Sequence, residues 1–132
     1  MTEIEIRPVI PLLVYEDIEA AHAFLVEAFG FSPGRLDRDQ DGRFTHGEVS
    51  AGAQVIWLHR AALDHELVSA SSQPAASGGL VVHVEDVDAH FDRARAAGAR
   101  TSAAPTDQPY GRREYEARDL EGHRWWFGTP IS

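Results

Sequence analysis

The sequence predicts an α+β fold of two βαβββ modules related by a pseudo-two-fold repeat, with the sheets curled into an open cup and the helices outside it. The segment from Glu16 to Phe24 recurs, two residues shorter, from Glu85 to Phe91. The same offset of 69 positions pairs Trp57 with Trp126. Each Glu-Asp follows an apolar run typical of a strand and precedes an apolar stripe typical of a helix. Because one helix would leave a sheet face bare, we expect the two modules to form one domain.

The first module is predicted to span residues 1–60. An apolar run from Val9 to Tyr15 indicates a strand, and the stripe that follows indicates a helix with Asp17 as its N-cap and Gly30 as its stop. Turn signals at Asp41-Gly42 and Ala51-Gly52 then separate three further strands. These strands are predicted at roughly Ser32 to Leu36, Phe44 to Ser50 and Gln54 to Arg60.

The second module is predicted to span residues 79–132, after a linker at 61–78 that is rich in Ala, Ser and Gly. A strand from Leu80 to Val84 precedes a helix from Asp86 to Gly98. Three more strands follow, at roughly Arg100 to Ala103, Tyr110 to Asp119 and His123 to Gly128. The single domain therefore spans residues 1–132.

The composition excludes several kinds of function. Acidic residues outnumber basic ones by 21 to 12, for a net charge of -9, so a nucleic acid is not an expected partner. The absence of cysteine excludes disulfides, thiolate nucleophiles and cysteine-ligated metal sites, and the absence of lysine excludes Schiff-base chemistry. No apolar run approaches the ~20 residues of a membrane span. We expect a soluble, cytoplasmic protein with no membrane partner.

The repeated Glu-Asp helix starts and the segment from Tyr110 to Thr129, with its Glu121-Gly122-His123 turn, resemble the vicinal oxygen chelate superfamily. This superfamily contains glyoxalases, extradiol dioxygenases, fosfomycin-modifying enzymes and bleomycin-resistance proteins. The resemblance covers almost the whole chain. It implies paired βαβββ modules, an open cup and a homodimer in which cups are often completed across the subunit interface. It does not fix the activity, because one fold can carry many functions.

The enzymes of this superfamily usually hold a divalent metal with His, Gln or Glu on the first and last strands of each module. The resemblance places those four positions at Ile10, Trp57, Gly79 and Trp126, none of which can bind a metal. A first-row divalent ion needs several converging oxygen or nitrogen donors. We therefore expect no metal and no cofactor, and a binding protein is favoured over an enzyme.

Two tryptophans are expected to replace the metal site with an aromatic surface. Strand alternation puts Ile10 and Leu12 on the inner face together with Trp57 and Trp126, whereas Trp125 is expected to pack under a helix. The predicted ligand-binding residues are Trp57, Trp126, Ile10, Leu12, His46, His83, Tyr110, Arg112 and Tyr115. The last three are expected to supply polar selectivity, since Tyr offers a flat amphipathic contact and Arg can stack or form paired hydrogen bonds.

The histidines leave a second interpretation open. His46 and Glu48 alternate along one strand and share a face, which favours a structural hydrogen-bonded pair but also allows two metal donors. His83 shares the face of Gly79 and is expected to contact a ligand. A metal-dependent enzyme with relocated ligands would use these three side chains.

The favoured function is metal-independent binding and sequestration of an aromatic or planar small molecule, as in the bleomycin-resistance proteins of the superfamily. Such a protein would serve antibiotic resistance or natural-product binding. The alternative is a glyoxalase-like metal-dependent lyase or a related enzyme. A third possibility is a sensor or scaffold module whose cup is filled by its own tryptophans.

Overall fold

The computed structural model describes residues 3–131 and is an α+β fold with two βαβββ repeats, as the sequence predicts. Residues 1, 2 and 132, at the ends of the predicted modules, lie outside the described residues. The first repeat contains β1 (Leu12–Tyr15), α1 (Ile18–Phe29), β2 (Ser32–Arg38), β3 (Phe44–Ala51) and β4 (Gln54–Arg60). The second contains β5 (Gly79–His83), α2 (Val87–Ala96), β6 (Arg100–Thr101), β7 (Thr106–Gln108), β8 (Arg112–Arg118) and β9 (Arg124–Pro130).

The two sheets have the same topology, which confirms the internal repeat. The first sheet has the order β1-β4-β3-β2, and the second has the order β5-β9-β8-β6, with β7 also paired to β8. In each sheet the first strand is parallel to the last and the other pairs are antiparallel. Both helices begin where predicted, because the Asp17 and Asp86 carboxylates accept hydrogen bonds from the backbone N–H three residues on.

Two predicted strands differ from the structure. The first is predicted to begin at Val9, but β1 begins at Leu12 and residues 3–11 lie outside both sheets. Pro8 and Pro11 have no backbone N–H to donate to a sheet. The strand predicted at Arg100 to Ala103 contains only two strand residues, and pairing with β8 resumes after Pro105 as β7.

The repeats join through their helix-covered faces. The helices contact each other, and Phe29 near the end of α1 packs against Trp125 and Phe127 of β9, with ring centroids 5.5 and 4.7 Å apart. Trp125 is fully buried, so the prediction that it packs under a helix is confirmed. One apolar core therefore serves both repeats, and the opposite face of each sheet carries no helix.

A buried carboxylate links the repeats at one end. Asp119, which is 2% exposed, accepts hydrogen bonds from the Tyr15 hydroxyl at 2.6 Å and from Trp125 Nε1 at 3.1 Å. Its other oxygen accepts the backbone N–H groups of Glu121 and His123. Burial, with the neighbouring Asp119 carboxylate, raises the pKa of the Tyr15 hydroxyl well above its usual value. The hydroxyl therefore stays a donor to Asp119.

Glu121 extends the same connection to the start of α1. Its two oxygens accept the backbone N–H groups of Glu16 at 2.7 Å and Asp17 at 2.9 Å. One of these oxygens also accepts the hydroxyl of buried Ser69. We call the turn from Asp119 to His123 the clamp, because through this turn the second repeat binds the start of α1.

The other end of the junction has no such clamp among the described residues. The offset of 69 places Ser50, Gly52 and Gln54 at the positions that correspond to the clamp side chains. These residues lie beside a cleft of about 760 Å³ between the repeats. Its walls include Phe31, Leu80, Val82 and His90. The pseudo-symmetry of the sequence is thus broken at the junction: at one end the Asp119 and Glu121 carboxylates join the two repeats by hydrogen bonds, and at the other end a cleft separates them.

Within residues 3–131, no helix is long and apolar enough to span a membrane.

Candidate functional site

The helix-free face of the first sheet carries Trp57. Residues that face each other across paired strands point to the same side, and the register aligns Leu12, Trp57 and Glu48 across β1, β4 and β3. Leu12 is 44% exposed and Trp57 is 38% exposed. Ile56 and Leu58, on either side of Trp57, are buried in the core. We call this surface the first open face.

The second sheet repeats this arrangement around Trp126. The register aligns Val81, Trp126 and Glu116 across β5, β9 and β8, and Val81 is 62% exposed. Trp125 and Phe127, on either side of Trp126, are fully buried. We call this surface the second open face. Each tryptophan thus has an aliphatic residue on one neighbouring strand and a glutamate on the other.

The chain does not close the two open faces into one cavity by strand pairing. Within residues 3–131, no strand of the first sheet is hydrogen-bonded to a strand of the second. In the same part of the chain, no hydrogen bond or aromatic contact joins the surroundings of Trp57 to those of Trp126. The two tryptophans therefore belong to two separate open sheets.

Trp57 packs against His46 and is still 38% exposed. The His46 ring meets it edge-on, with centroids 5.2 Å apart and an interplanar angle of 80°. His46 Nε2 lies 2.8 Å from a Glu48 oxygen, which fits the favoured interpretation of these two residues as a structural pair. Fixed orientation and exposure together suit an indole for stacking on a flat molecule.

Trp126 is more enclosed. The Arg124 guanidinium lies 5.2 Å from the centre of its ring, and Glu116 holds that guanidinium at 2.9 and 2.7 Å. On the β5 side, a Cβ at Gly79 would lie only 2.5 Å from Trp126 Cζ3, so the indole fits there because residue 79 has no side chain. We expect Trp57 to provide a stacking surface on the first open face and Trp126 to form a wall on the second.

A polar cluster lies on the second open face around Arg112, which is 9% exposed. Its guanidinium donates to His83 Nδ1 at 2.5 Å, to the Val82 carbonyl at 3.0 Å and to Glu114 at 2.9 Å. The Tyr110 hydroxyl donates to the other Glu114 oxygen. Three predicted site residues, His83, Tyr110 and Arg112, are therefore in one hydrogen-bonded group.

Tyr115 does not belong to this surface, so its assignment to the ligand site is corrected. It pairs with Phe127 across β8 and β9, is 3% exposed, and its hydroxyl lies 2.6 Å from His90 Nδ1 under α2. Burial raises the pKa of the Tyr115 hydroxyl. Successive side chains of β8 point to opposite faces of the sheet, so Tyr115 points away from the face that carries Arg112 and Glu114.

One further predicted residue lies before β1, and two residues that were not predicted lie on the second open face. Ile10 lies in the segment before β1 and is 41% exposed, next to Pro11, whose carbonyl accepts the Trp57 backbone N–H. Glu116 and Arg124 lie on the open face beside Trp126, although neither is among the predicted site residues. Their even spacing from Trp126 and Glu114 along the paired strands was the signal that could have found them.

The donors present do not fit a divalent metal. Within residues 3–131, no three His, Asp or Glu side chains converge. His46 and Glu48 supply only two donors, while His83 lies on the other sheet with its Nδ1 facing the cationic Arg112. A metal ion at His83 would be repelled by that guanidinium. The three side chains of the metal-dependent alternative therefore do not form one coordination site within a single chain.

Comparison with known families gives a match over most of the chain. The family model of the Glyoxalase/Bleomycin resistance protein/Dioxygenase superfamily matches residues 7–127. Among curated proteins, the uncharacterized protein Mb0911c of Mycobacterium bovis is 33% identical over 134 residues, covering 97% of this chain and 87% of that protein.

Solved structures give the same fold. TioX from Micromonospora sp. ML1 is 31% identical, covers 92% of this chain and 97% of its own, and superposes with a TM-score of 0.72. TnmS3, an antibiotic binding protein from Streptomyces sp. CB03234, is 23% identical with a TM-score of 0.74, at 97% and 99% coverage. FosX, a fosfomycin resistance protein from Listeria monocytogenes, is 14% identical with a TM-score of 0.72, at 97% and 96% coverage.

Proposed function

The chain belongs to the glyoxalase/bleomycin resistance protein/dioxygenase superfamily, and within it we propose that this protein binds and sequesters an aromatic or planar small molecule without a metal ion. The observation that carries the proposal is Trp57, an oriented indole that is 38% exposed on a helix-free sheet face. A large aromatic side chain held in this way is more typical of a binding surface than of a core. The second open face adds Val81 and the wall formed by Trp126.

The residues at the four usual metal positions support binding over catalysis by a metal. Ile10 is apolar, Trp57 and Trp126 are aromatic, and Gly79 has no side chain and packs against Trp126. TnmS3 is an antibiotic binding protein and FosX a fosfomycin resistance protein, and both share this fold. At their level of identity the likeness establishes the fold alone. We infer natural-product binding, with antibiotic resistance as its biological consequence, in an intracellular protein that needs no cofactor.

The proposed function can be tested with aromatic natural products and the Trp57→Ala variant. A ligand present at 100 times its dissociation constant should add about 2.7 kcal/mol to the free energy of unfolding, so a thermal-shift screen detects it. We expect Trp57→Ala to weaken the ligand's binding about tenfold, since it removes aromatic stacking and apolar contact. Titration calorimetry measures that ratio.

Two further variants serve as controls in this test. Trp57→Phe keeps a flat ring and should retain most of the affinity. Trp126→Ala should have a smaller effect than Trp57→Ala, since Arg124 already lies over that indole. Equal affinities in wild type, Trp57→Ala and Trp126→Ala would show that the tryptophans do not bind the ligand. A stoichiometric divalent metal whose removal abolished binding would favour the glyoxalase-like alternative.

We further propose that the protein is a homodimer in which each open face meets one from the second copy. The segment of residues 3–11, here called the N-terminal arm, contains no strand, and its Ile4 and Ile6 are 86% and 82% exposed. Apolar side chains so exposed are typical of an interface.

Charged substitutions in the N-terminal arm test the dimer. We expect the double variant Ile4→Glu, Ile6→Glu to shift the protein from dimer to monomer in light scattering coupled to size exclusion, because two carboxylates would lose water at the interface. The control variant Leu63→Glu changes an apolar residue that is 81% exposed on the segment between the repeats, near the start of α1, and should remain dimeric. A monomeric wild type would contradict the proposal.

A further inference from the structure

The contact between Arg112 and His83 determines which nitrogen of His83 carries a proton. A guanidinium has five N–H donors and no acceptor, so His83 Nδ1, 2.5 Å from an Arg112 nitrogen, must be the acceptor. An accepting Nδ1 has no proton, and in a neutral imidazole the proton then resides on Nε2. Arg112 thus selects one tautomer and makes Nε2 a hydrogen-bond donor.

The guanidinium is itself fixed in place. The Val82 carbonyl and Glu114 accept its other hydrogen bonds, and it lies over Gly128. A Cβ at Gly128 would lie 2.6 Å from Arg112 Nε, so the close approach depends on the missing side chain. Arg112 therefore acts on His83 as a rigid positioning residue.

The donor that results has no recipient among the described residues. Among residues 3–131, no hydrogen bond engages His83 Nε2, and the side chain is exposed. It lies on the second open face, where β5 also carries Val81, 62% exposed, and β9 carries Trp126 on the paired strand. An oriented N–H beside an apolar and aromatic surface is suited to a flat molecule with an acceptor at its rim.

The net charge of the chain favours a neutral acceptor. Glu114 and Glu116 lie on the same face, but each is paired with an arginine, so the charges close to His83 largely cancel, while the whole chain carries a net charge of -9. A carboxylate or sulfonate ligand would be repelled by that net charge as it approaches, whereas a neutral ketone or quinone would not. The chemistry offered is therefore one neutral N–H donor next to an apolar ring surface.

We propose that His83, positioned by Arg112, donates its Nε2–H to a carbonyl oxygen of the ligand, so that the site prefers aromatic ketones and quinones over plain aromatic hydrocarbons. This inference rests on the proposed binding function and narrows its ligand class. His83 is the specificity-determining residue, and Arg112 acts through it.

The first experiment examines the tautomer without any ligand. Long-range ¹H–¹⁵N correlation spectra distinguish protonated from unprotonated imidazole nitrogens, and the His83→Phe variant identifies the His83 signals among those of the seven histidines. The proposal expects Nε2 protonated and Nδ1 bare in the wild type. In Arg112→Met, paired with Glu114→Gln so that no buried carboxylate is left alone, we expect a mixture of tautomers. A wild-type His83 protonated on Nδ1 would overturn the proposal even if the double variant fails to fold.

The second experiment compares two probes of the same shape, 1,4-naphthoquinone and naphthalene, by ¹⁵N chemical-shift titration. The chain has no cysteine or lysine side chain to form adducts with the quinone. We expect the hydrogen bond to strengthen binding of the quinone, relative to naphthalene, about fivefold in the wild type compared with His83→Phe. The preference should disappear in His83→Phe, which keeps the flat ring. The control His65→Phe, on an exposed turn between the repeats, should keep it.

The outcomes separate the inference from the function on which it rests. If both probes bind and His83→Phe leaves their affinity ratio unchanged, the His83 proposal is overturned while aromatic binding stands. If neither probe binds the wild type, both proposals are overturned for bicyclic ligands of this size. If 1,4-naphthoquinone-2-sulfonate binds more tightly than the neutral quinone, the argument for a neutral acceptor is wrong.

Discussion

Replacing Trp125 with alanine should lower the free energy of unfolding by about 4 kcal/mol, a value typical of large aromatic side chains removed from cores. The Trp125 ring is fully buried and parallel to Phe127, with an interplanar angle of 7°. It also contacts Phe29 from the first repeat, and its Nε1 donates to Asp119. The substitution would leave a cavity at the junction and remove one donor from a buried carboxylate. Urea unfolding followed by circular dichroism measures the loss.

The neighbouring residue is the matched control. Trp126 is only half-buried and faces away from the core, so Trp126→Ala should cost about 1 kcal/mol, close to the average point substitution. The two variants remove the same side chain from adjacent positions of one strand. Equal losses would mean that the two faces of β9 do not differ as the structure indicates.

Replacing Asp119 with alanine should cost about 3 kcal/mol of unfolding free energy, because the change leaves several buried donors without their acceptor. These donors are the Tyr15 hydroxyl, Trp125 Nε1 and two backbone N–H groups of the clamp. Each buried polar group left without a partner costs about 1–3 kcal/mol, and local rearrangement recovers part of the sum. Because the contact joins the two repeats, we expect both to lose stability together in one transition.

The pseudo-equivalent position at the open end of the junction supplies the control for Asp119. Ser50 has no hydrogen bond to the second repeat among the described residues, so Ser50→Ala should change stability by less than about 0.5 kcal/mol. Guanidinium unfolding of both variants gives the comparison. A loss in Asp119→Ala no larger than that in Ser50→Ala would show that the clamp does not hold the repeats together.

Much of the secondary structure was predictable from local signals. The Glu-Asp pairs predicted both helix starts, since the N-cap carboxylate of Asp17 or Asp86 bonds to its own chain three residues on. The 69-residue offset predicted that Trp57 and Trp126 occupy equivalent places, and the aligned neighbours in the two sheets confirm it. Such features depend on the period of the sequence pattern and on hydrogen bonds between residues close in sequence, so they can be predicted without knowing the tertiary structure.

The candidate site was less predictable. Nearness in sequence groups Tyr115 with Tyr110 and Arg112, but a strand sends successive side chains to opposite faces and buries Tyr115 under α2. Conversely, Glu116 lies beside Trp126 because of the β8–β9 register, which no single segment specifies, and there it holds Arg124. Register follows from the pairing of distant strands and from the face that the core requires.

The sequence by itself determined the two βαβββ repeats and the helix caps, because these depend on residue type, periodicity and the 69-residue offset. The resemblance to the superfamily added that the four usual metal positions carry no metal donor. Only the tertiary structure decided that the repeats join through their helices, that the clamp ties one end of the junction, and that Arg112 orients His83. Those features are contacts between distant residues, such as Tyr15 and Asp119, which are 104 positions apart. The net charge and the periodicity of the sequence do not depend on whether two such side chains are in contact, so they cannot predict the contact. Packing of one shared core brings them together, and the same packing leaves both tryptophan faces open to a ligand or to a second copy.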